Sequence, residues 1–162
     1  MRMTKRSFLG AAGAALVAAC SREGEARPAE TFEVSKSPEE WRRILTPQQY
    51  AVLRQEATER AGSSPLDKEH RRGVFHCAGC NLPVYRSQDK YDSGTGWPSF
   101  TRPIPNAVRT RTDRKLFVAR TEVHCRRCGG HLGHVFDDGP PPTGKRYCMN
   151  GVALKFVPAR GA

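Results

Sequence analysis

The chain has 162 residues, close to the length of one compact domain with a terminal extension, and this excludes two full domains. With 38% hydrophobic and 27% charged residues it reads as a soluble core, neither wholly disordered nor an integral membrane protein. Lys and Arg outnumber Asp and Glu by 27 to 16, a formal +11 that raises nucleic acid or an anionic membrane as partners. Six cysteines are the other outlier, and their spacing decides what they mean.

Residues 1–19 read as an export signal. Arg2, Lys5 and Arg6 precede a twelve-residue run of small and apolar residues from Phe8 to Ala19, too short for a spanning helix of about twenty residues. Leu16-Val17-Ala18-Ala19-Cys20 resembles the lipobox of bacterial lipoproteins, in which the cysteine becomes the lipidated first residue. Lys5-Arg6-Ser7-Phe8-Leu9 resembles a twin-arginine signal. Removing this segment lowers the formal charge from +11 to +8, so part of the basicity is a targeting device. The expected location is periplasmic, with the membrane as partner through lipid on Cys20. Residues 20–36 are polar and charge-mixed, the composition of a flexible tether.

Ser37-Pro38-Glu39-Glu40 and Thr46-Pro47-Gln48-Gln49 are two successive helix starts, each with a capping residue, proline at the first helical position and Glu or Gln at the third. Trp41, Ile44 and Leu45, then Tyr50, Leu53 and Ala57, recur at helical spacing, predicting two short amphipathic helices. From residue 73 the pattern changes to short β runs: 73–76, 82–85, 107–112, 116–123, 134–136 and 152–157. Thr112 to Lys115 has the character of a hairpin connection, and Gly139 to Gly144 contains three prolines that no strand would hold. The body, residues 37–160, is expected to be mainly β and antiparallel.

Cys77-Ala-Gly-Cys80 and Cys125-Arg-Arg-Cys128 are two C-x₂-C knuckles, and four thiolates at this spacing suit a tetrahedral, structural Zn²⁺. The 44 intervening residues exceed the usual ribbon spacing of about 15–20, so a β insertion must leave one knuckle and return to the other. Two disulfides or a redox C-x-x-C are the competing readings of the same pairs. Setting aside Cys20 and the knuckles leaves Cys148, beside Lys145 and Arg146, where cations would stabilise a thiolate. A buried structural cysteine is the plainer reading of that position. The sequence also offers His131-Leu-Gly-His134, two imidazoles able to protonate a leaving oxygen, and the aromatic loop Ser93-Gly-Thr-Gly-Trp-Pro-Ser-Phe100.

Together these segments resemble a known family. Trp41 to Tyr50, Thr58-Glu-Arg60, Cys77 to Cys80, Lys90 to Phe100, Cys125 to Phe136 and Arg146-Tyr-Cys-Met-Asn150 are similar, in order, to the motifs of the peptide-methionine (R)-S-oxide reductases of MsrB type. The resemblance implies two small antiparallel sheets with short N-terminal helices and one structural zinc on the four knuckle cysteines. It implies that Cys148 attacks the sulfur of methionine sulfoxide, free or in oxidised proteins, and becomes a sulfenic acid. His131, His134 and Asn150 would handle the oxygen and its proton, and Arg146 would support the thiolate. Trp97, with Phe100 and Phe136, would hold the substrate.

The sequence departs from the family at one position. Many members carry a resolving cysteine where this chain has Thr95, and no other cysteine is spare. A small thiol or a thioredoxin-like protein is therefore the expected reductant, and the protein is expected to act as a monomer with no nucleic-acid partner. The rival function is an exported zinc-ribbon binding module without catalysis.

Overall fold

The computed structural model describes residues 30–115 and 118–161. The export signal, the lipobox and Cys20 lie outside them, as do Leu116 and Phe117. The two proline-led starts form helices as their caps require. In α1 (Pro38–Ile44), Ser37 Oγ accepts the Glu40 N–H and the Glu40 carboxylate accepts the Ser37 N–H. Thr46 and Gln49 repeat the exchange in α2 (Pro47–Gln55). Trp41, Leu45, Val52 and Leu53 face the core. Ile44, expected there too, is 56% exposed: a seven-residue helix turns one narrow face inward, and Trp41 and Leu45 occupy it.

Beyond the helices, nine strands make two antiparallel sheets among the described residues. Strands β1 (Gly73–Cys77), β2 (Pro83–Arg86) and β9 (Leu154–Pro158) form one, in the order β2-β1-β9. The other contains β3 (Lys90–Tyr91), β4 (Ser99–Phe100), β5 (Val108–Asp113), β6 (Arg120–Cys125), β7 (His131–Phe136) and β8 (Arg146–Met149), in the order β3-β4-β8-β7-β6-β5. Their inner faces share one core, in which Phe100 stacks on Tyr85 at 4.3 Å and meets Phe75 edge-on at 5.0 Å.

Three differences from the sequence pattern bear on function. Strand β8, carrying Cys148, had no signal in the sequence, because Arg-Tyr-Cys-Met alternates weakly and follows a proline-rich loop; its neighbours β4 and β7 supply its hydrogen bonds. The run expected over 152–157 begins instead as a 3₁₀ turn at Gly151–Ala153, since the Glu59 carboxylate takes the Gly151 and Val152 N–H groups at 2.6 and 2.9 Å. The tether expected over 20–36 meets the described residues only from 30. There Phe32 stands edge-on to His124 at 5.9 Å, and the Val34 N–H donates to the Arg127 carbonyl at 2.9 Å.

Candidate active site

The two knuckles fold alike. Cys77 donates its N–H to the Leu82 carbonyl and accepts that of Asn81, while Cys125 does the same with Gly130 and Gly129. Asn81 and Gly129 hold the positive φ that so tight a turn requires. The four sulfurs converge within 4.8 Å of one another, with Cys77 to Cys128 at 3.7 Å and Cys80 to Cys125 at 3.4 Å. Sulfurs about 2.3 Å from one Zn²⁺ in a tetrahedron stand about 3.8 Å apart, so the set fits the ion, whereas disulfide-bonded sulfurs would be about 2.05 Å apart. Cys77 ends a strand of the small sheet and Cys125 one of the large sheet, so a metal held by the four cysteines would tie the two together.

From the second knuckle the chain runs directly into β7 and toward Cys148. In the β7–β8 ladder His134 lies opposite Cys148, and on the other side Ser99 does. Gly133 permits this close crossing, since a Cβ there would stand 2.1 Å from the Cys148 carbonyl oxygen. Cys148, half-buried, opens into a cleft of about 140 Å³ walled by Trp97, Phe136, His134, Arg120, Thr58 and Asn150. This is smaller than the ~300 Å³ or more of sites for larger ligands, and suits the tip of a single side chain.

The electrostatics are specific. Burial raises the Cys148 thiol above its ordinary value, outweighing the opposing contacts of Thr95, Arg146 and Ser99. Arg146, two residues away on the same face of β8, is held by both Asp138 oxygens at 2.9 and 2.8 Å and lies over the Phe136 ring at 4.4 Å. His134 Nε2–H donates to Asp113 at 2.8 Å, and burial pulls its imidazole below the ordinary value more than Asp113 lifts it. Asp113 also binds Arg120 at 2.6 Å. His131 Nδ1–H donates to buried Glu122 at 2.8 Å, leaving Nε2 buried without a hydrogen-bond partner among the described residues. Burial pushes Glu122 up, but its bonds to His131 and Arg111 together hold it below the ordinary value.

Of the expected site residues, Cys148, His134, Asn150, Trp97 and Phe136 line the cleft, and Arg146 stacks on its wall. His131 is not on its surface, but its ring stands 5.3 Å from that of His134. Phe100 is fully buried and pairs with Tyr147, so strand alternation turns it away from the face shared by Ser99 and Cys148. Asn150 is bound to backbone, accepting the Glu59 N–H at 2.9 Å and donating to Leu132 O at 3.2 Å. The sequence reading gave no role to Glu59, Asp113, Arg120, Glu122 or Asp138. Glu59 is central: its carbonyl also accepts Trp97 Nε1–H at 3.2 Å, so one residue fixes two walls.

The SelR domain family matches residues 45–158. A peptide methionine sulfoxide reductase MsrB of Methanosarcina barkeri is 54% identical over 124 residues, covering 76% of this chain and 87% of the relative. One from Bradyrhizobium diazoefficiens is 54% identical over 130 residues, covering 78% and 91%. The chloroplastic peptide methionine sulfoxide reductase B1 of Arabidopsis thaliana is 52% identical over 123 residues, covering 75% and 61%. On the family match and these relatives, the chain belongs to the SelR-domain family, that of the MsrB-type methionine sulfoxide reductases.

Proposed function

We propose that this protein reduces the R epimer of methionine sulfoxide, chiefly in oxidised proteins, with Cys148 as nucleophile. The observation that carries this reading is the Cys148 sulfur at the wall of a small cleft, between the apolar faces of Trp97 and Phe136 and opposite His134. The sulfoxide oxygen leaves only when protonated, and at neutral pH the raised thiol keeps its proton while the lowered His134 is a neutral imidazole whose one N–H is held by Asp113. The thiol's own proton therefore serves the oxygen, with His134 placed to pass it. Overall the S–O bond of the sulfoxide breaks and one forms on Cys148. The sulfoxide sulfur gains two electrons, Cys148 loses two, methionine leaves, and the proton ends on the sulfenic hydroxyl.

With Thr95 in place of a resolving cysteine, an external thiol attacks the sulfenic acid, releasing water and forming a mixed disulfide. A second thiol frees Cys148, so that two thiols become one disulfide. One zinc on Cys77, Cys80, Cys125 and Cys128 supplies only structure. Cys148→Ser should lower turnover of the R epimer on the order of 10³-fold or more while zinc content and melting are kept. A zinc-ribbon binding module would be indifferent to that change. Oxidation by sulfoxide without reductant should leave Cys148 as sulfenic acid in the mass spectrum, and an intramolecular disulfide would contradict the reading.

We also propose export and anchoring through lipid on Cys20, supported by the sequence of residues 1–20. Labelled palmitate should enter the wild-type chain and not Cys20→Ala. Equal labelling of both would overturn it.

A further inference from the structure

Thr95 stands where the family resemblance would place a resolving cysteine, and its hydroxyl lies 4.0 Å from Cys148 Sγ. It belongs to a chain of hydroxyls. Thr95 Oγ1 is 2.8 Å from Ser93 Oγ, Ser93 Oγ is 2.7 Å from Ser99 Oγ, and Ser99 donates its proton to the Trp97 carbonyl at 3.0 Å.

With the Ser99 hydrogen on the Trp97 carbonyl, counting protons sets the direction of the remaining links. Each hydroxyl has one hydrogen to give. That of Ser99 is spent on a carbonyl, which cannot donate, so Ser93 must donate to Ser99. The hydrogen of Ser93 is then spent, so Thr95 must donate to Ser93, whose oxygen also faces the Thr95 N–H at 3.5 Å. The hydrogen of Thr95 is thereby spent as well, and Cys148 S–H is left as the donor to Thr95. The thiol heads an ordered chain that ends on the backbone of Trp97.

We propose that Thr95 is a catalytic residue that changes its hydrogen-bonding role with the charge on Cys148. It accepts from the thiol at rest. When the sulfur becomes anionic, the Thr95 O–H leaves Ser93 and turns to the sulfur, trading a neutral hydrogen bond for a charge-assisted one. Ser93 is the competitor that holds the Thr95 proton back, and it is thus a positioning residue for Thr95. The other groups that face this sulfur are Ser99 from β4, His134 from β7, Arg120 from β6 at the cleft wall, Arg146 on β8 itself with Asp138 behind it, and Tyr91 from β3. Of these only Ser99 belongs to the chain of hydroxyls, and substituting Thr95 or Ser93 leaves its side chain and the others in place.

The inference rests on Cys148 as the nucleophile, but its test needs no sulfoxide. Alkylation of Cys148 by iodoacetamide is followed against pH on the zinc-loaded protein, scored on the Cys148 peptide by mass spectrometry. Thr95→Val removes the donor to the thiolate and should raise the titration midpoint. Ser93→Ala removes the competitor, releases the Thr95 proton toward sulfur, and should lower it. Thr95→Ser keeps the hydroxyl and should keep the wild-type midpoint, with zinc content as the check on folding. Opposite shifts from two neighbouring hydroxyl deletions are what a merely structural loop would not give. Shifts in the same direction, or no shift with Ser93→Ala, would overturn the role. If Thr95→Val does not fold, Ser93→Ala and Thr95→Ser decide it by the same criteria. Should Cys148→Ser keep full reductase activity, the proposed function fails while these midpoints still judge the relay.

Discussion

The described residues hold five cysteines in two environments about as different as one protein can offer. Four converge within 4.8 Å of one another on two backbone turns of the same design, and the fifth lies alone on a strand between Ser99 and His134. The cluster is defined by sulfur facing sulfur, an arrangement that only a shared cation makes favourable once the thiols ionise. At Cys148 the neighbours are hydroxyls, an imidazole and a guanidinium already bound to Asp138, which leaves the sulfur accessible to a substrate. A thiol's role is thus set by what the fold places within about 4 Å of it.

The largest way to break this contrast is to turn one cysteine's role into the other's. Cys125→Ser should cost the zinc and, with metal-site energies on the order of 10 kcal/mol against a typical stability of ~5–15 kcal/mol, most of the fold. Zinc analysis and thermal melting check this, and a native melting curve without metal would mean the cluster does not hold the sheets together. Smaller is the effect of Glu59→Gln, which keeps the shape but weakens the acceptor for the Gly151 and Val152 N–H groups. A loss of about 1–3 kcal/mol in urea unfolding is expected, with a fall in kcat/KM as Trp97 and Asn150 loosen. Unchanged kinetics would separate Glu59 from the site.

The smallest effect is a displaced titration. In the zinc-loaded wild-type protein Cys148 should be the one described cysteine that iodoacetamide labels. Its folded value is raised, so the reactive thiolate accumulates only as pH rises, and the labelling midpoint should lie above the ordinary 9.0. A midpoint below 9.0 would mean that Arg146 and Thr95 outweigh burial.

The sequence made the cluster more legible than the site. Spacing is local, so Cys77, Cys80, Cys125 and Cys128 announce their two turns, and the capping pairs Ser37–Glu40 and Thr46–Gln49 announce both helices. The partners of the cleft residues are not local. Asp113 reaches His134 across 21 positions, and Glu59 reaches Asn150 across 91. Phe100 belonged to the recognisable loop yet turns into the core, because alternation on a two-residue strand is fixed by its pairing with β8, and β8 had no signal of its own.

By itself, then, the sequence determined the inventory: two capped helices, a mainly β body, a cysteine quartet spaced for a metal and one spare cysteine. Those features rest on nearest-neighbour chemistry such as turn geometry, capping and periodicity. Only the tertiary structure decided that β8 lies between β4 and β7, and so which imidazole faces Cys148, which aromatic walls the cleft and where the Thr95 hydroxyl points. Strand order is set by burial and hydrogen bonding summed over the whole chain, and no short stretch of residues carries that sum.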